Sequence, residues 1–206
     1  MTTAFEKSKA DDRFFFLGND LALDFLNTRP VLDGETVELL SEFDSLLQWL
    51  EAAGQISSVA AQKLRLRWNG SPRAARVAAA MHDLRERLRA AVLTWEGGKM
   101  IPRSIEDELN LLMADYPLLH RLTTDRGISS IEPWFKPEEP GDLFAPVAYA
   151  AARLFADADR HRVRKCVNCA LHFRDTSKKG TRRWCSMSMC GNRSKVVAYA
   201  NRHRHS

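Results

Sequence analysis

The only cysteines of this 206-residue chain stand in two close pairs near its end, Cys166-x2-Cys169 and Cys185-x4-Cys190. Each pair can offer two thiolates to one ion, and four thiolates satisfy a tetrahedral Zn2+ with Zn–S of about 2.3 Å. The competing use of such pairs is two disulfides. The N-terminus MTTAFEKSKADDR is polar and mixed in charge, without the pattern of a secretory leader, so a reducing, cytoplasmic setting and free thiols are expected. One structural zinc held by Cys166, Cys169, Cys185 and Cys190 is therefore the expectation. Such a site is closed, whereas catalytic zinc keeps an open position, which argues against a zinc hydrolase. His172, three residues past Cys169, is a conceivable substitute ligand but fits better on a strand leaving the first knuckle.

The surroundings of the cysteines are basic. Residues 160–206 carry thirteen Lys or Arg against one acid, Asp175, which gives the segment +12 and leaves residues 1–159 at −7. An acidic body joined to a basic, metal-ordered end has the electrostatic footprint of a nucleic-acid binder. A solubilising tail, or a surface for acidic protein or membrane, are the blander uses of such charge.

The segment also has internal order. Leu171 to Thr176 alternates apolar and polar as a strand does, and Lys178-Lys179-Gly180-Thr181 reads as a turn. A hairpin between the two cysteine pairs is expected, with Arg182-Arg183-Trp184 leading into the second pair. After Cys190 the run GNRSKVVAYANRHR has helical spacing and no proline. On a helix, Asn192, Lys195, Tyr199 and Arg202 share one face, while Val196, Val197 and Ala200 lie around the other. Knuckle, hairpin and helix make a small treble-clef-like zinc finger, and helix-bearing zinc modules place such a helix in the major groove.

The string Trp184-Cys-Ser-Met-Ser-Met-Cys-Gly-Asn-Arg193 resembles the signature of the CGNR zinc-finger family, and Cys166-Val-Asn-Cys169, Phe173 to Ser177 and Arg182-Arg183 fit the same pattern. Proteins of that family carry an N-terminal ABATE domain. Gly18-Asn-Asp-Leu-Ala-Leu-Asp-Phe-Leu-Asn-Thr28 is similar to its opening motif, and Leu143 to Ala148 to the start of its last helix. The resemblance implies a bacterial transcription regulator.

The body, residues 1–159, is long enough for one compact core. Ser41-Glu-Phe-Asp44 opens a helix with Leu46, Leu47 and Leu50 inward and Gly54 as its stop. A helix over 58–68 follows. Ser71-Pro72 begins the longest element, to Glu96, with Val77, Met81, Leu84, Leu88, Ala91 and Trp95 as an apolar stripe for the core or a dimer seam. The arginines of that helix (73, 76, 85, 87, 89) are expected on a solvated face beside Asp83 and Glu86. Ser104-Ile-Glu-Asp107 caps a helix through Ala114, and residues 118–135 read as a β-hairpin turning at Asp125-Arg126-Gly127. A last helix spans about 142–157, and residues 159–165 read as the link to the finger. The fold class is mainly α with one β-hairpin, followed by the finger at 160–206. No apolar run reaches eighteen residues, so no membrane span is expected.

Asp20, Asp24 and Asn27 lie at helical spacing, and Asp24 and Asn27 are expected to serve as buried hydrogen-bond partners to a helix end. There is no phosphate loop, nucleophile elbow or paired-histidine motif, so the chain reads as no enzyme. The expected partner is double-stranded DNA. Arg182 and Arg183 grip phosphates, and Asn192, Lys195, Tyr199 and Arg202 face the bases. Arg193 either joins them or braces the knuckle. Tyr199 alone is a poor stacking platform, which disfavours single-stranded RNA. One finger buries only about 600–1,000 Å2, so a homodimer or a helper surface is expected, and the N-terminal domain leaves room for a small-molecule effector. The alternative is an RNA- or protein-binding adaptor in which the finger is a structural mount.

Overall fold

The computed structural model describes residues 13–32 and 34–191. Helices make up about 52% of the structure, which makes it mainly α. Asp20 opens α1 (Leu21–Leu26), its carboxylate accepting the Ala22 N–H at 2.9 Å. Gly18, just before, is a point of close approach: a Cβ there would lie 2.8 Å from the Cβ of Leu23. A short ribbon, β1 (Val31–Leu32) with β2 (Glu35–Thr36), leads to α2 (Phe43–Ala52), α3 (Ser58–Trp68) and α4 (Pro72–Glu96). Next come α5 (Arg103–Asp115), the hairpin β3 (Leu119–Asp125) with β4 (Ile128–Trp134), and α6 (Phe144–Asp157). The finger begins with β5 (Val163–Lys165) paired antiparallel to β6 (His172–Arg174), and a helical turn at Met187–Gly191 follows. Among the described residues no helix is long and apolar enough to cross a membrane.

Serine caps set two of these helices: Ser57 and Ser71 accept from Ala60 and Ala74, and Pro72 occupies the first turn of α4 where its missing N–H costs nothing. Two helix starts differ from the sequence reading. The N-cap of α2 is Glu42 rather than Ser41, with Ser45 Oγ accepting the Glu42 N–H at 3.0 Å, because the helix begins where Phe43 enters the core. The N-cap of α5 is Pro102, so Ser104 lies inside the first turn instead of capping it. The β3–β4 turn is as read: Arg126 and Gly127 both take positive φ, 47° and 80°, as a two-residue loop of matching twist requires.

One core joins α1, α2, α4 and α6, with Phe25 against Trp49 at 5.5 Å between ring centroids. The α4 stripe is part of it: Met81, Leu84, Leu88 and Ala91 are buried, and Val77 and Trp95 pack at its edge. The arginines of α4 do not form one solvated face. Arg73, Arg76 and Arg87 are exposed, but Arg85 is only 1% exposed. Its guanidinium donates to Thr28 Oγ1 and Glu38 Oε1, each at 2.8 Å, and to Glu86 at 3.1 Å. Residue 85 falls between Met81 and Leu88 at i+4 and i−3, hence on the inward face. Arg89 donates to the Leu26 carbonyl at 2.6 Å, a cation at the C-terminal end of α1 where the helix carbonyls favour it.

The stretch read as a linker is structured. Val163 is 3% exposed and belongs to the body's core. The strand partner of residues 172–174 lies upstream of the first cysteine pair, at 163–165, and not between the two pairs. The knuckle itself is the hairpin turn. Leu171 accepts the Cys166 N–H at 2.8 Å, and Ala170 takes the left-handed φ of 61° that the reversal needs.

Candidate metal centre and nucleic-acid interface

The two cysteine pairs meet. One ligand sulfur from each of Cys166, Cys169, Cys185 and Cys190 lies within 4.8 Å of the other three. Cys169 Sγ is 3.4 Å from Cys185 Sγ, which is 3.7 Å from Cys190 Sγ. These separations are too long for an S–S bond of about 2.05 Å. They lie close to the roughly 3.8 Å edge of a tetrahedron with metal–sulfur bonds of about 2.3 Å. None of the four cysteines is in a disulfide. His172 is not among the clustered ligands; its ring is buried in β6.

The electrostatics ask for a cation. Hydrogen bonding from the Cys185 thiol brings Cys169 down to about 5, so one thiolate forms readily. The next is opposed. Donation to Cys169 holds Cys185 far above the ordinary thiol range, and burial, followed by the neighbouring thiolate, pushes Cys190 up to about 12. Four thiolates this close coexist only around a dication, and a four-cysteine set suits one structural Zn2+.

Local structure explains how each ligand is held. Cys190 lies in the helical turn Met187–Gly191, with its N–H on the Ser186 carbonyl at 3.0 Å. Asn168 donates to the Cys190 carbonyl at 2.8 Å and so ties the first knuckle to the second. At Gly191 a side chain would meet the Met187 sulfur at 2.5 Å, a physical reason for glycine next to the last ligand.

Asp175, the one acid of the basic segment, is fully buried. Burial opposes its charge. The Ser177 side chain, the Arg182 and Ser177 N–H groups at 2.8 and 2.9 Å, and the Arg164 charge overcome it and hold the carboxyl below its ordinary range. Asp175 thus pins the 175–182 loop.

Arg182 has a similar internal role. Its guanidinium donates to the Trp184 carbonyl at 2.7 Å and to the Cys185 carbonyl, and stacks 4.8 Å over the Phe173 ring. Arg183 is exposed, with its guanidinium 5.9 Å over Trp184. Of the residues expected at a nucleic-acid interface, Asn192, Arg193, Lys195, Tyr199 and Arg202 lie outside the described residues.

The opening motif of the body docks on the finger. Asn27 is buried and uses both ends of its amide: Nδ2 donates to the His172 carbonyl at 2.9 Å, and Oδ1 accepts the His172 N–H at 2.8 Å. Gly18 accepts the Arg174 N–H at 2.7 Å, and Asn19 Nδ2 donates to the Arg174 carbonyl at 3.0 Å. Gly18, Asn19 and Asn27, which flank α1, therefore take up the backbone groups of β6 at His172 and Arg174. Phe15 and Leu17 pack on the finger's small core of Leu171 and Phe173. The expected buried role of Asn27 holds, but its partner is a strand of the finger and not a helix end. Asp24 accepts the Gly18 N–H at 2.7 Å, and burial followed by the charge of Asp20 pushes it up to about 7.

Two family models match the chain. Residues 19–158 match ABATE, described as "Putative stress-induced transcription regulator", and residues 162–203 match the CGNR zinc finger. No curated protein gives a match. With more than half of its length inside the first of these models and its four-cysteine cluster inside the second, the chain belongs to the ABATE family and ends in a CGNR zinc finger.

Proposed function

We propose that the protein is a transcription regulator whose zinc finger, residues 160–206, engages duplex DNA, with residues 1–159 as the domain that carries and positions it. One observation carries this reading. The only acid of residues 160–206, Asp175, is buried and consumed inside the fold, so no carboxylate side chain remains to face a partner. The finger's charged side chains then meet a partner as cations alone, which is what a phosphate backbone attracts. Four thiolates around one ion leave no coordination position for a substrate, so the reading is non-catalytic.

Arg183 is a phosphate contact in this reading, whereas Arg182 braces the second knuckle. Asn192, Lys195, Tyr199 and Arg202 are the proposed base contacts. Binding of the zinc-loaded chain to a labelled duplex should fall steeply with salt. Arg183→Ala should weaken binding to every sequence and flatten the logarithmic salt slope by about 1. Asn192→Ala or Arg202→Ala should change which sequences are preferred. Parent protein that binds acidic polypeptide or single-stranded RNA but not duplex DNA would favour the adaptor function instead.

A further inference from the structure

An open groove of about 580 Å3 lies where the body meets the finger. Arg160, Arg164, Lys165, Arg182 and Arg183 line it, together with one carboxylate, Glu96, at the C-terminal end of α4. Three of the cations are held in place by backbone carbonyls. Arg160 donates to Gly98 at 3.1 Å, Arg164 to Gly180 at 2.7 Å and Arg182 to Trp184 at 2.7 Å. A guanidinium has five N–H donors, so the single bond of Arg160 or Arg164 orients it without exhausting it, while Arg182, tied also to the Cys185 carbonyl, contributes mainly its charge. The Arg164 Nε is buried with no hydrogen-bond partner. Lys165 and Arg183 are exposed.

Five cations in one groove repel one another until an anion enters, and oriented guanidinium forks match phosphate oxygens best. Glu96 works the other way. It is half-buried, and burial pushes it up to about 7 against the pull of Lys165 and Arg164. Its charge weakens whatever anion shares the groove.

We propose that this groove is a phosphate-binding site, filled by backbone phosphates of duplex DNA when the finger engages it, and that Glu96 sets its affinity by opposing them. The proposal rests on the DNA-binding function above and extends it: the DNA-contacting surface runs past the finger onto the end of α4. That surface is then larger than the roughly 600–1,000 Å2 of a lone finger.

The test uses the full zinc-loaded chain and a labelled duplex over a salt series, with zinc content matched among variants. Lys165→Ala and Arg160→Ala should each lower the salt slope by about 0.9, one phosphate contact apiece. Glu96→Gln should tighten binding roughly fivefold, the effect of one screened charge–charge contact. If the parent binds DNA and these variants share its affinity and slope, the groove is not the site, while the finger's DNA binding stands. If the parent does not bind DNA, that function fails, and calorimetry with inorganic pyrophosphate decides the groove. Heat that Lys165→Ala abolishes keeps a phosphate site there; no heat, or heat unchanged in the variant, overturns it.

Discussion

His172 sits in β6 with its Nδ1 buried and unpartnered. Burial, then the charges of Arg89 and Lys165, bring it from an ordinary 6.5 down to about 4. The unfolded chain therefore takes up a proton that the folded one refuses. This contribution is fully present above about pH 6.5 and is lost as pH falls toward 4, by about 1.4 kcal/mol per unit across that window. Denaturant unfolding at pH 7, 6 and 5 should show the parent losing stability faster than His172→Leu, which shares every other titrating group. Equal slopes would mean that the ring is solvated. Single residues were also where reading from sequence was weakest. Arg85 resembles its exposed helix neighbours in type, and the Thr28 hydroxyl and Glu38 carboxylate, brought in from 57 and 47 residues away, join the adjacent Glu86 in making its burial tolerable. Asp175 read as a lone acid in a basic run, because the loop N–H groups that bind it have no sequence signature.

The docking of α1 on β6 is the joint between the chain's two parts, and Asn27 is its main hydrogen-bonding residue. Asn27→Ala would leave the N–H and carbonyl of His172 buried without partners, at about 1–3 kcal/mol each. Hydrogen exchange at residues 163–174 should speed up, while α2 and α3 keep their protection. Unchanged exchange at β6 would falsify the joint. The spacing of Asp20, Asp24 and Asn27 was readable as one helix face, and Asp20 and Asp24 turn out to hold the helix start and the Gly18 backbone. The partner of Asn27 was not readable, since it lies 145 residues away and is bound through its backbone. The same limit explains β5. Three residues, Val163-Arg164-Lys165, carry no strand signal of their own, and pairing with β6 across the knuckle creates the strand. Long periodic elements such as α4, and the β3–β4 turn with its glycine, were readable because their signals are local.

Zinc ties these scales together. Cys166 and Cys169 close the turn that brings β5 onto β6, β6 is the strand Asn27 grips, and Val163 of β5 fills a place in the body's core. Metal binding in such a module is folding free energy, so removing the ion should release β6 and β5 together. The body then loses the burial of Val163, about 1.5–3 kcal/mol, and leaves Asn27 without its partner, about 1–3 kcal/mol more. A chain ending at Asp159 loses the same contacts. Both should retain the α2–α4–α6 core and a helical spectrum, yet melt roughly 10 °C below the zinc-loaded protein, given about 2–4 °C per kcal/mol at this size. Scanning calorimetry of the parent, the parent with chelator, the Cys185→Ser variant and the shortened chain checks this directly. The last three should share one lowered transition. A shortened chain that melts at the parent temperature would show that body and finger merely touch, and a molten one would show that the finger completes the core.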